Sequence, residues 1–260
     1  MINEGIKYNV DQFTFDYDID KEHDIIKLVE VPIYESNFIK NAYYYGYRFE
    51  NNIDGTLKSK FIEYIKKSTS ETILNSDMFN FITDAVDKLD KKIKLNTFDI
   101  VIYPQSKSGL VRNILMHVYN YTRPNFKTIE LVKNSIDNIA FDKIAYDVYA
   151  NKQKLNRHDR KILDVNIQKI LDDIKIYDYF SIANAVKKPK YRKFFKDFLI
   201  FKNKEDEQLF NQLENSNVLI VDDINTSGTT ITECLRLINS VNSDSKKVVF
   251  TLIGGETHKM

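Results

Sequence analysis

The stretch from Asn217 to Ile231 reads NVLIVDDINTSGTTI. Four apolar residues, Val218 to Val221, run into Asp222 and Asp223 and then into Thr226, Ser227, Gly228, Thr229 and Thr230. A turn needs one Asp or Asn and one Gly, so this stretch holds more polar chemistry than a turn requires. The apolar run reads as a buried strand, and in an open parallel sheet ligands sit beyond the carboxyl ends of the strands. Adjacent side chains leaving a strand diverge, so the two carboxylates offer acceptors to neighbouring hydroxyls or to a metal shell. The hydroxyl residues then enter a helix, whose first N–H groups point outward with partial positive charge and suit a phosphate. Gly228 lets the backbone curl closely around such a group. The pattern describes a ligand with a diol at one end and a phosphate at the other, a ribose phosphate.

An Asp-Asp pair after an apolar strand has other sources. The acidic motif of a P-loop ATPase requires a partner GxxxxGK[ST], which occurs nowhere in the chain. The acidic pocket of a receiver domain lies near the N-terminus and lacks the Thr-Ser-Gly-Thr-Thr that follows here. A helix cap and turn with no ligand stays open at this point.

The elements that must position these residues repeat one order. FDIVIYP (Phe98 to Pro104) is a short apolar strand that breaks into Gln105, Ser106, Lys107, Ser108 and Gly109. Leu110, Val111, Ile114, Leu115 and Val118 mark a helix, and TIELVK (Thr128 to Lys133) a second strand. VLIV, a helix through Cys234, Leu235 and Ile238, and KVVFTLIGG repeat the order near the other end. Strand, loop, helix, strand is the pattern of a parallel α/β sheet. Ahead of these units, IKYNVDQFTF, IIKLVEVPIY and AYYYGYRFE read as strands. Met78, Phe79, Ile82, Ala85, Val86, Leu89 and Ile93 mark a helix, with Ser76 as its N-cap. The span from about 134 to 216 is too long for a plain connection. Helical spacing at Ile162, Leu163, Ile167, Ile170, Leu171 and Ile174, and at Leu209 and Leu213, predicts a helical insertion.

VLIVDDINTSGTT resembles the phosphoribosyl-pyrophosphate (PRPP) signature of type I phosphoribosyltransferases. The resemblance implies an α/β, parallel-sheet type I phosphoribosyltransferase fold with an N-terminal α+β hood and a helical insertion. Residues 1–96 would be the hood or accessory region, and 97–260 the core with its insertion at about 134–216. Asp222 and Asp223 would be the catalytic carboxylates on the ribose hydroxyls, and Thr226, Ser227, Gly228, Thr229 and Thr230 the 5-phosphate loop. Family members also contact pyrophosphate with the loop after the first core strand, here Gln105, Ser106, Lys107, Ser108 and Gly109. The implied reaction transfers ribose 5-phosphate from PRPP to a nucleobase or similar small nitrogen acceptor and releases pyrophosphate. Mg²⁺ would arrive with PRPP, with no protein ligand assigned beyond a contact from Asp222 or Asp223. Many members cover the site with a flexible loop after the second core strand, where this chain opens its long insertion. A regulatory protein that binds PRPP or a nucleotide without turnover would carry the same signature.

Composition narrows the remaining classes. The 260 residues can bury a sizeable core, and 43% hydrophobic with 29% charged content is that of a soluble globular chain. Lys plus Arg is 38 against 37 for Asp plus Glu, so the net charge gives no pull toward nucleic acid or membrane. KKPKYRKFFK (Lys187 to Lys196) could touch nucleic acid or close over pyrophosphate, but reads first as a solvated basic face with aromatics in the core. AYYYGYRFE could stack a flat base, though packing within a strand is the simpler reading. A single Cys234 excludes an intrachain disulfide and fits a reducing cytoplasm. Polar residues after Met1 and the absence of any apolar run near ~20 residues predict neither a signal peptide nor a membrane span. The four histidines are far apart in sequence, without ligand spacing. Lys133 and Glu256 lie near strand ends, and a homodimer is compatible with the sequence.

Overall fold

A computed structural model describes residues 7–9, 14–16, 28–31, 41–48, 55–68, 76–122, 126–176, 181–213, 215–225 and 228–254. In chain order the first elements are β1 (Lys7–Asn9), β2 (Thr14–Asp16), β3 (Leu28–Val31) and β4 (Asn41–Arg48), then α1 (Gly55–Ser68) and α2 (Ser76–Ile93). Next come β5 (Ile100–Pro104), α3 (Leu110–Tyr119) and β6 (Lys127–Lys133). The long span that follows holds β7 (Ala140–Phe141), α4 (Lys143–Lys152), α5 (Arg157–Ile174), α6 (Ile182–Ala185), α7 (Pro189–Arg192), β8 (Phe195–Lys196), β9 (Leu199–Phe201) and α8 (Lys204–Gln212). The last unit is β10 (Asn217–Asn225), α9 (Thr229–Val241) and β11 (Lys246–Gly254).

Among the described residues a 7-stranded sheet runs in the order β3-β4-β11-β10-β5-β6-β9. Its inner strands β4, β11, β10, β5 and β6 are parallel, and the edge strands β3 and β9 are antiparallel to their neighbours. The chain is therefore mixed α/β with a mostly parallel central sheet. Both faces of β10 are buried, which is why it reads as an unbroken apolar run. Leu219 and Val221 join one core layer, while Val218 and Ile220 join the other. The first layer holds Phe61 and Ile65 of α1, Phe81, Ile82 and Val86 of α2, and Leu110 and Ile114 of α3. The second holds Ile231, Cys234, Leu235 and Ile238 of α9 with Leu163 and Ile167 of α5.

This layering fixes where a ligand can sit. β5 and β10 are adjacent and parallel, with Leu219 opposite Val101. From β5 the chain crosses through α3 on the first layer to β6 on one side. From β10 it crosses through α9 on the second layer to β11 on the other side. The two connections leave in opposite directions, so a crevice opens beyond the carboxyl ends of β5 and β10.

Three features extend the sequence expectations. Helix α1 was not anticipated; Phe61 and Ile65, four residues apart and fully buried, anchor it, and Lys66 and Lys67 in its last turn suit the helix dipole. β4 lies inside the large sheet beside β11, and its Tyr43, Tyr44, Tyr45 and Tyr47 are buried, as the packing reading of AYYYGYRFE expects. The span 134–216 contributes the strands β7, β8 and β9 as well as helices, and β9 joins the large sheet. Leu199 and Phe201 of β9 are buried and Ile200 between them is exposed, a period of two that pairs the strand with β6. In KKPKYRKFFK, Tyr191, Phe194 and Phe195 are buried while Lys187, Lys188 and Lys190 are exposed. The Ser76 side chain, Glu256, His23 and His258 lie outside what is described.

Candidate functional site

The loop after β5 and the end of β10 meet at the crevice. Gln105 donates its N–H to Leu131 O at 2.7 Å, which holds the loop's start on the β6 side. The chain then turns so that Ser108 Oγ donates to Asp223 Oδ2 at 3.1 Å. Ser106 Oγ lies 3.0 Å from Ser108 Oγ and 3.5 Å from Asp223 Oδ2, and accepts the Ser108 N–H at 3.3 Å. The residue at the N-cap position of α3 is Gly109, and no side chain caps that helix. Ser108 turns its hydroxyl to the acidic pair. Gln105 and Lys107 are exposed.

Asp222 and Asp223 are both buried, at 6% exposure each, yet they face different surroundings. Strand alternation sends Asp223 to the layer of α1 and α3 and Asp222 to the layer of α9. Asp223 N–H donates to Asp222 Oδ1 at 2.8 Å, and Ile224 N–H donates to Asp223 Oδ1 at 2.6 Å. Burial pushes the Asp222 carboxyl well above the usual carboxylate range, and the Asp223 charge adds to it; the Asp223 N–H and Lys66 oppose these less strongly. Tyr43 and Cys234 feel the Asp222 charge, and burial raises both of their own pKa values well above the ordinary. Cys234 is thereby a buried, inert core thiol. The Tyr43 hydroxyl and Thr251 Oγ1 are buried near one another without hydrogen-bond geometry, two uncompensated polar atoms under the site.

Of the expected 5-phosphate loop, Thr226 and Ser227 lie outside the described residues. Gly228 takes the left-handed conformation at φ 72°, which glycine alone adopts freely, and forms the N-cap of α9. Its N–H donates to Asn225 Oδ1 at 2.7 Å. Thr229 is buried and Thr230 half-buried in the first turn, where the leading N–H groups have no helical acceptor. Gly228 and the helix start therefore stand at the same sheet edge as the Ser106–Ser108 turn.

Two participants escaped the sequence reading. Lys66, from the last turn of α1, places Nζ 3.5 Å from Asp223 Oδ2. Asn225 is the side chain that braces Gly228. Asn225 had a local signal, an Asn three residues before a glycine, whereas nothing in the sequence ties Lys66 to Asp223. Among the described residues no group of three or more His, Cys, Asp or Glu side chains could hold a metal ion. A carboxylate pair still suits Mg²⁺, which binds through one or two carboxylates with substrate phosphates. No described helix is long and apolar enough to cross a membrane.

Residues 163–258 match the family model of the phosphoribosyl transferase domain. The matched segment contains β10, α9 and β11, while the Gln105 to Gly109 loop lies outside it. No curated protein matches the chain significantly. Among solved structures, the chain is similar to a hypoxanthine phosphoribosyltransferase from Staphylococcus aureus, at 12% identity over 73% of this chain and 70% of that one, with a TM-score of 0.35. It is also similar to an adenine phosphoribosyltransferase from Thermoanaerobacter pseudethanolicus, at 12% identity over 87% and 95%, with a TM-score of 0.34. Likenesses at this level say nothing of this chain's substrate.

Proposed function

We propose that the protein is a phosphoribosyltransferase that moves ribose 5-phosphate from PRPP to a nucleobase or similar nitrogen acceptor, releasing pyrophosphate. The observation that carries this reading is the hydrogen bond from Ser108 to Asp223 at 3.1 Å, which joins the two expected substrate loops at one crevice. The family match over residues 163–258 supports it independently.

In the reaction a bond forms between the acceptor nitrogen and ribose C1 while the C1–O bond breaks. Its electron pair leaves on pyrophosphate, and the proton on the nitrogen passes to solvent. Positive charge builds on the ribose ring, where Asp222 and Asp223 would stabilise it while accepting hydrogen bonds from the diol. Thr226 to Thr230 and the start of α9 would hold the 5-phosphate, so binding energy remote from C1 fixes the reacting carbon. Ser106, Lys107, Ser108 and the loop amides would receive the pyrophosphate. Mg²⁺ bound with PRPP would offset the charge on the leaving group, with Asp222 and Asp223 the carboxylates in reach. Residues 1–96 would carry the acceptor specificity, and the excursion between β6 and β9 would cover the site. The buried tyrosines of β4 serve packing, so base stacking has to come from other residues.

The test is incubation with PRPP, Mg²⁺ and a panel of bases while pyrophosphate is measured. Release with at least one acceptor is expected. A melting temperature raised by PRPP, with no release for any acceptor, would replace the enzyme reading by that of a PRPP-binding regulator.

A further inference from the structure

The lysine at the crevice has a part in the reaction that the signature motif does not assign. Helix α1 is pinned by Phe61 and Ile65, both fully buried, so its last turn is held against the sheet. Lys66 in that turn sends its ammonium over the carboxyl end of the sheet to Asp223. The pair is loose. At 3.5 Å it is longer than the ~2.7–2.9 Å of a charge-assisted hydrogen bond, and the lysine side chain stays 43% exposed. Asp223 has firmer partners in Ser108 Oγ at 3.1 Å and Ile224 N–H at 2.6 Å. Lys66 is therefore not needed to hold the carboxylate. A compact charge on a flexible four-carbon stem can change partners at small cost.

Asp223 Oδ2 is also the acceptor that a ribose diol would use. A diol brings O–H donors to the same lone pairs, and the ammonium has to yield some of that space. The same substrate brings a pyrophosphate with several negative charges, whose proposed loop touches Asp223 through Ser108. The substrate thereby brings an anion into the same crevice as the displaced ammonium. We propose that Lys66 is a substrate-binding residue whose ammonium pairs with Asp223 in the free protein and passes to the pyrophosphate of PRPP when the ribose diol takes Asp223. The inference rests on the phosphoribosyl reading and extends it, because it makes the N-terminal third a direct contributor to the PRPP site.

Two ligands separate this role from a structural one. PRPP carries the pyrophosphate, and ribose 5-phosphate offers the same 5-phosphate without it. Titration calorimetry on wild type, Lys66→Met and Lys66→Arg, with Mg²⁺ present, gives the affinities for both. Loss of one charge-assisted contact should weaken PRPP binding by Lys66→Met roughly 10- to 100-fold. Ribose 5-phosphate lacks the pyrophosphate to which Lys66 would pass, so its binding to Lys66→Met should weaken by no more than about twofold. Lys66→Arg should recover most of the PRPP affinity, and the salt dependence of PRPP binding should flatten in Lys66→Met. Equal affinity of Lys66→Met and wild type for PRPP overturns the inference, and so does equal weakening of both ligands. If wild type binds neither ligand, the phosphoribosyl reading itself is overturned and the inference with it.

Discussion

Replacing Asp223 by Asn separates holding a ligand from holding the fold. In the free protein its Oδ1 accepts Ile224 N–H at 2.6 Å, while Oδ2 accepts Ser108 Oγ at 3.1 Å and faces Lys66 Nζ at 3.5 Å. Asn keeps an acceptor for Ile224, and its amide can donate to the Ser108 hydroxyl, so that hydrogen bond survives with its direction reversed. Its worth falls from about 1.5–3 kcal/mol for a charged acceptor to about 1 kcal/mol. The Lys66 pair, with the lysine 43% exposed and screened by solvent, adds a loss of at most about 1 kcal/mol. In the other direction, the Asp223 charge is among the causes that raise the Asp222 pKa, so removing it relieves the buried neighbour. Losses and relief leave a net change of about 1 kcal/mol, or roughly 2–4 °C in melting temperature for a chain of this size.

The functional loss is larger because nothing offsets it. Two diol hydroxyls that would donate to a carboxylate meet a neutral amide, and each contact weakens by about 0.5–2 kcal/mol. Together these give a fall on the order of 100-fold in turnover, before any lost stabilisation of ring charge is counted. The assay pairs pyrophosphate release at saturating acceptor with a thermal melt. A melting temperature lowered by more than about 10 °C would assign Asp223 a structural role. The double variant Asp222→Asn with Asp223→Asn should be inactive and folded; wild-type activity there would refute the site.

Arg236→Ala should destabilise by about 2–3 kcal/mol, or roughly 5–10 °C, because Glu233, only 3% exposed, loses the guanidinium held at 2.8 and 2.9 Å. The same arginine pairs with Asp197 at 2.6 Å, so calorimetry should show that loss together with faster proteolysis of the turn before β9; an unchanged melt would mean the pair is fully solvated. Lys247→Met tests a pH dependence. Burial lowers the Lys247 pKa to about 8, so in the wild type this group adds stability as pH rises from about 8 toward the unfolded value near 10.4, and that contribution is lost as pH falls through 8. Denaturant titrations should show the wild-type minus variant difference rising across that window, and a flat difference would refute the assignment. At Gly254 a Cβ would lie 2.1 Å from the Tyr45 ring, so Gly254→Ala should cost about 1–3 kcal/mol by overpacking. Tyr45 packs tilted against Tyr43, ring centroids 4.8 Å apart, and Tyr43 lies beside Asp222, so KM for PRPP should rise as well; an unaltered melt and KM would show that the ring moves freely.

Legibility of this fold in the sequence followed burial. β5, β10 and β11 announce themselves because both faces of an inner parallel strand are buried, leaving unbroken apolar runs. α2 shows its helical stripe because one face packs on the sheet and the other is solvated. α1 was hidden because its stripe rests on little more than Phe61, Tyr64 and Ile65 between charged residues. β9 was hidden because three residues carry too little periodicity to be seen inside a helical span. At the site, the proposed ligand chemistry of Asp222 to Thr230 rests on a contiguous stretch, so the sequence alone suffices to suggest it. The contacts Ser108–Asp223 and Lys66–Asp223 could not be read there, since they exist only once strand order brings distant segments to one edge.

Strand order also explains why the two neighbouring aspartates differ. A pleated strand must send them to opposite faces, so each inherits the layer on its own side of the sheet. On the first layer Asp223 meets the hydroxyls of the β5 loop and the cation of α1, both at the rim of the crevice. On the second layer Asp222 lies among Tyr43, Cys234 and Thr251, where burial disfavours its charge. A ligand that draws on both carboxylates must therefore bridge the end of β10 itself. Binding through Asp223 finds an acceptor with partners to exchange, whereas binding through Asp222 has to overcome the penalty of charging a buried group or use it as a protonated donor. The pair is unequal before any substrate arrives, and that inequality follows from the placement of β10 between β5 and β11 with α3 and α9 on opposite layers.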